Sequence, residues 1–128
     1  MKTLAYVRVA SDLASEGAQR HDIAQAHHVE YWFQDVGLSG STVGLPGFAK
    51  LCKLAKRGDI VIVASIMCLG SCNRELFESL QALRKKGASV VSLEGFDSSS
   101  PAGKAYFATA ASLARLEDRI TGKKRDAR

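Results

Sequence analysis

The 128-residue sequence predicts an α/β domain: a mostly parallel sheet of four to five strands, flanked by helices and followed by one long C-terminal helix. Three observations lead there. Short β-branched and apolar runs at 4–9, 29–33, 60–64 and 89–93 alternate with helix-patterned stretches, the order of a sheet built from strand, helix, strand units. The run Ile60 to Ala64 is apolar throughout, as in a strand covered on both faces. With 46% hydrophobic and 24% charged residues, the composition is that of a globular protein with room for one core.

Taken in order, Leu4 to Val9 reads as a buried strand entering the polar turn Ala10-Ser11-Asp12, where open α/β sheets place their chemistry. The turn opens on Ala10, whose methyl can neither attack nor donate. Glu16 to His28 carries Ala18, Ile23, Ala24 and Ala26 at roughly helical spacing. Val29 to Phe33, VEYWF, is a second strand. The stretch QDVGLSGSTVGLPG behind it is a long loop of a kind that is functional or disordered in compact domains. Phe48, Leu51, Cys52 and Ala55 mark a short helix over Phe48 to Lys56, and Gly58-Asp59 turns the chain into the central strand Ile60 to Ala64.

After a polar stop at Ser71 to Asn73, Leu76, Phe77, Leu80 and Leu83 form one stripe of a helix over Arg74 to Lys86, closed by Gly87. Ser89 to Leu93 is a further strand. The serines and Pro101 of GFDSSSP start the last helix, Ala102 to about Thr121. In it Tyr106, Thr109, Leu113, Leu116 and Ile120 recur as a heptad-like seam, while Phe107, Ala110, Ala111 and Ala114 make a second face of smaller residues. Two apolar faces need two partners. The domain itself is one, and a second subunit is the expected other.

Charge and cysteine usage narrow the function classes. The net charge is +5, and the last ten residues hold +4 of it through Arg119, Lys123, Lys124, Arg125 and Arg128 against Asp126. A basic end on a nearly neutral body suits local, weak and non-specific contact with DNA phosphates. Domain boundaries are therefore expected at 1–121 for the folded unit and 122–128 for a basic tail. No apolar run approaches a membrane span and no leader pattern opens the chain, so a cytoplasmic protein without membrane association is expected. Cys52, Cys68 and Cys72 have no framework spacing and suit reduced thiols in a core. His27 and His28 are adjacent and His21 has no partner at ligand spacing, so no metal is expected. The absence of GxxxxGK[ST] and GxGxxG argues against a nucleotide cofactor, and none is expected.

The order of short motifs resembles the catalytic domain of the serine recombinases, the resolvase and invertase family, over essentially the whole chain. The resemblance is carried by YVRV at Tyr6 to Val9, Gln19, DVGLSG at Asp35 to Gly40, Pro46-Gly47, Gly58-Asp59 and VIV at Val61 to Val63. Leu69-Gly70, GASVVSL at Gly87 to Leu93 and DSSSPAGK at Asp97 to Lys104 continue it. It implies a resolvase-like three-layer fold. It also implies a chemistry in which a serine hydroxyl attacks a DNA phosphodiester while arginines balance the charge of the pentacoordinate phosphate.

Set against that pattern, the reactive groups are replaced. The serine expected after the first strand falls on Ala10, and the arginine before the Pro-Gly pair on Leu45. An acid and two arginines of the family's Asp-Arg-Leu-Gly-Arg fall on Met67, Cys68 and Ser71. The Glu-Arg pair near the end of the long helix falls on Glu117-Asp118. Arg8, Gln19, Asp35 and Ser39 retain family positions near the active site. The resemblance therefore implies a catalytically inactive recombinase-like protein, oligomerising as a homodimer or with a recombinase, and regulatory or architectural in DNA recombination. The family's helix-turn-helix domain is not expected here. Ser11, one residue past Ala10, keeps an active recombinase, or a fragment of one, as the alternative reading. A weaker alternative is an anion or small-ligand-binding domain using Arg8 and the Asp35 to Gly47 loop.

Overall fold

The computed structural model of the chain describes residues 1–9, 13–36, 42–70 and 72–126, and for 13–16 and 121–126 it describes the backbone alone. Among the described residues, four strands form one wholly parallel sheet in the order β2-β1-β3-β4: β1 (Thr3–Val9), β2 (Tyr31–Val36), β3 (Ile60–Val63) and β4 (Ser89–Ser92). The helices between and after them are α1 (Leu13–Ala26), α2 (Pro46–Leu54), α3 (Asn73–Lys85) and α4 (Pro101–Asp126). Alternation along β1 divides the interior into two cores. Leu4 and Tyr6 join Val61, Val63 and Val90 beneath Phe48 and Leu51 of α2 and Leu76, Leu80 and Leu83 of α3. Ala5, Val7 and Val9 join Ile62 on the other face, where Ile23 of α1 covers them. The sheet thus lies between two helical layers, and both of its central strands are buried on both faces.

Several boundaries differ from the sequence expectation, each for a local reason. The second strand starts two residues late and continues through Gln34, Asp35 and Val36, because β1 pairs with it in unbroken register from Leu4↔Tyr31 to Val9↔Val36. The first helix starts at Leu13 and ends at Ala26, ahead of the expected His28. The loop before α2 contains a 3₁₀ turn, Thr42–Gly44, and another 3₁₀ turn, Ile66–Leu69, follows β3. The last helix runs to Asp126, five residues past the expected end, so 122–126 are helical in backbone. Of the three free thiols Cys68 is buried, Cys52 is half-buried and Cys72 is exposed, so the expected core placement does not extend to Cys72.

Other signals act as read. Gly87 adopts φ +82° and closes α3 through the Gly87 amide to Arg84 and the Ala88 amide to Leu83, the paired bonds of a Schellman cap. Ser100 caps α4: its hydroxyl accepts from the Gly103 amide at 3.0 Å, with Pro101 in the first helical position. Asp59, 2% exposed, ties the chain start to the β3 entry by accepting from the Lys2 and Lys56 amides, both at 2.8 Å, and from the Lys2 ammonium at 2.9 Å. Burial opposes its charge, but those donors outweigh it and hold the carboxyl below its ordinary range. Among the described residues no helix is long and apolar enough to cross a membrane.

Candidate functional site

In an open parallel sheet the helices change sides where strand order reverses, and the carboxyl ends of the strands flanking that point leave a crevice. Here the reversal lies between β1 and β3. Ala10, Ser11 and Asp12, which follow β1 in the sequence, lie outside the described residues, as do Ser39 and Ser71. What can be described of the crevice is built from the end of β1, one face of α1, the Thr42–Gly44 turn and the Ile66–Leu69 turn.

Arg8, Gln19 and Cys68 meet there. The Arg8 guanidinium donates from Nη1 to the Thr42 hydroxyl at 2.6 Å. Gln19 donates from Nε2 to the Arg8 carbonyl at 3.1 Å, and its Oε1 accepts from the Cys68 thiol at 3.6 Å. Two positions read as retained and one read as replaced are thus joined in one chain of contacts. Thr42 was not singled out by sequence, since nothing in a Gly- and Ser-rich loop marks one hydroxyl above another. Cys68 is a sulfur nucleophile only as thiolate. Burial pushes its thiol up, against the lowering effect of the Ser65 and Arg8 backbone groups and the Arg8 charge, so it stays protonated and packs as a small apolar group.

Asp35 takes a different place. It is 6% exposed, and its carboxylate accepts from the Tyr6 hydroxyl at 2.8 Å, the Gly47 amide at 2.7 Å and the Phe48 amide at 2.8 Å. The N-terminal amides of a helix have no intrahelical acceptor, and Leu45 at the N-cap supplies no side-chain bond. Asp35 supplies it from the neighbouring strand, at the positive end of the α2 dipole. Burial, then the hydrogen bond and charge of Asp35, raise the Tyr6 hydroxyl well above its ordinary range, so it remains a donor. A Cβ on Gly47 would overlap the Gln34 carbonyl and stand 2.8 Å from Asp35 Oδ2, which is why a glycine follows the proline. This carboxylate positions α2 against β1 and β2.

The replaced positions bring no compensating charge. Leu45 is half-buried and Met67 is 59% exposed, and neither offers a group that can stabilise an oxyanion. The Ser65 hydroxyl accepts from the Met67 amide, and Glu94 accepts from the Ile66 amide at 3.2 Å, so the turn that carries Met67 is pinned at its start. Among the described residues the crevice offers the Arg8 guanidinium, held by Thr42, and the Gln19 carboxamide, tied to the Arg8 backbone and the Cys68 thiol.

The expected dimer seam is split by the structure. Tyr106 is half-buried, edge-on to Phe96 at 5.6 Å, and belongs to the domain's own core. Phe107 stacks tilted on Phe77, Ala110 and Ala114 are buried, and Asn73 donates to the Ala110 carbonyl, so α4 sits on α3 by its small-residue face. Arg74 pairs with Asp118 across the same junction. Thr109, Leu113, Leu116 and Ile120 face outward, with Leu113 and Leu116 each 45% and Ile120 67% exposed. Arg119 of the basic end is exposed; the side chains of Lys123, Lys124 and Arg125, and the whole of Arg128, lie outside the described residues.

The model of the resolvase N-terminal domain matches residues 3–127. The DNA-invertase of Escherichia phage P1 is 31% identical over 115 residues, covering 89% of this chain and 61% of the relative. The serine recombinase gin of Escherichia phage Mu is also 31% identical, covering 89% of this chain and 58% of the relative. The chain therefore spans about three-fifths of the length of these relatives. In fold it is similar to the N-terminal catalytic domain of TP901-1 integrase, with a TM-score of 0.71 and 21% identity over 93% of this chain and 98% of that one. It is also similar to a resolvase family site-specific recombinase from Streptococcus pneumoniae, with a TM-score of 0.66 and 20% identity over 99% and 96% of the two chains.

Proposed function

The chain belongs to the resolvase family, and on that premise we propose that it is a member without strand-cleaving chemistry, which assembles through α4 and acts as a regulatory or architectural partner in DNA recombination. The observation that carries the assembly reading is the division of labour on α4. Ala110 and Ala114 are spent on α3, while Leu113, Leu116 and Ile120 stand in solvent as one continuous stripe. A run of exposed large aliphatic side chains at helical spacing is the mark of an interaction surface rather than of scattered surface residues. The occupant proposed is a second copy of the helix, from this chain or from a full-length recombinase of the same family.

Sedimentation equilibrium and light scattering test this. The chain is expected to be a dimer at high micromolar concentration, and Leu116→Glu to weaken association by about 100-fold or more, since a charge would sit at the centre of the apolar contact. Leu116 is exposed in the single chain, so circular dichroism of the variant is expected to be unchanged. A monomer at high micromolar concentration would contradict the reading.

DNA contact is proposed for the basic end, Arg119, Lys123, Lys124, Arg125 and Arg128, as weak phosphate attraction without base reading. Deleting 123–128 removes four of those five cations. Retention on duplex DNA at low salt is expected to fall, and the slope of log affinity against log salt to lessen by roughly 3 to 4, about 0.9 per lost phosphate contact. Unchanged retention would remove the tail from the account.

A further inference from the structure

We propose that the cleft between the C-terminal half of α3, the first turns of α4 and the edge strand β4 binds a small organic carboxylate with a compact apolar body. The cleft measures about 260 Å³. That is just below the roughly 300–1,000 Å³ of pockets for drug-sized ligands, so its occupant is small. Its walls include Leu80, Val90, Phe96 and Phe107, and its rim carries Arg84 and Lys104 from opposite helices, so an apolar floor lies between two cations. It is separate from the Arg8, Gln19 and Cys68 crevice and shares no residue with it.

The walls are built before any ligand arrives. The Ser98 hydroxyl accepts from the Val90 amide at 2.8 Å, and the Ser98 amide donates to the Val90 carbonyl at 2.9 Å, so the 96–100 segment is laced to the edge of β4. Asp97, the acid of that segment, is engaged by the Ser99 amide at 2.9 Å and hydroxyl at 2.7 Å, and so is turned to its own loop. The Arg84 guanidinium lies 4.7 Å over the Phe107 ring, which holds a planar donor array at the rim. Lys104 has no acidic partner among the described residues. Two cations with no acid between them, above an apolar floor, are complementary to one carboxylate whose hydrocarbon part points inward.

The test is titration of the ¹⁵N-labelled full chain with three probes: phenylacetate, the neutral 2-phenylethanol, and inorganic phosphate. Phenylacetate is expected to shift the amides of 87–90, 96–99 and 104–107 and to bind at least tenfold more tightly than either other probe. Lys104→Gln and Arg84→Gln are each expected to weaken it by about tenfold. Both side chains are exposed, so the spectra of the variants should otherwise overlay that of the parent. The proposal is overturned if phenylacetate shifts nothing at millimolar concentration, if 2-phenylethanol or phosphate binds as well, or if both variants bind it unchanged.

Discussion

Replacing Asp35 with alanine is expected to remove about 3–5 kcal/mol of folding stability, a large part of the roughly 5–15 kcal/mol that a domain of this size has in total. Three donors converge on that carboxylate: the Tyr6 hydroxyl and the amides of Gly47 and Phe48. Each would be left buried without its acceptor, at about 1–3 kcal/mol apiece, reduced where α2 can shift to admit water. Asp35→Asn keeps one carbonyl oxygen for the amides and should cost only about 1–2 kcal/mol. Tyr6→Phe, which removes one donor and strands none, should cost about 1 kcal/mol. Urea unfolding measures all three, with the midpoint falling while the slope stays constant. A loss under about 1 kcal/mol for Asp35→Ala would contradict the structural role and return this carboxylate to the list of groups available for chemistry.

The parallel sheet was legible because its signals are local. IVIVA at β3 and the alternation of strand and helix patterns need no tertiary knowledge. The extent of β2 was not legible, because Gln34 and Asp35 have poor strand propensity and enter the sheet only through pairing with Val7 and Arg8 of β1. Likewise the end of α4 lacked a strong stop: Gly122 alone does not break a helix whose neighbours are Lys and Arg. At the site, Arg8 and Gln19 were found by their place in the motif order, and the structure brings them together. The roles of Asp35 and Thr42 depend on partners 12 to 34 residues away along the chain, which spacing cannot reveal. On α4 the structure buries Ala110 and Ala114 and leaves Leu113, Leu116 and Ile120 exposed. Tyr106 fell on the inner side because Phe96, in the loop before the helix, reaches back to meet it.

Under the proposed function the fold has been kept while the cleavage chemistry has gone. Arg8 keeps its place near the end of β1, but by the resemblance the positions at which the family places further arginines hold Leu45, Cys68 and Ser71. The loss of one preorganised oxyanion donor costs about 10² to 10³ in rate, so on the proposed reading the loss of three together with the nucleophile is expected to lower the rate by many powers of ten even if the effects do not add. Restoring the hydroxyl alone by Ala10→Ser should for the same reason leave the protein inert.

The direct measurement is incubation of the chain with supercoiled DNA carrying a recombination site of the matched family, alone and with a full-length recombinase, followed by denaturing gels for nicked DNA and for protein covalently bound through a phosphoserine. The chain alone and its Ala10→Ser variant are expected to give neither product. Nicked or covalently captured DNA that disappears with Ser11→Ala would contradict the account and make Ser11 the nucleophile of an active enzyme.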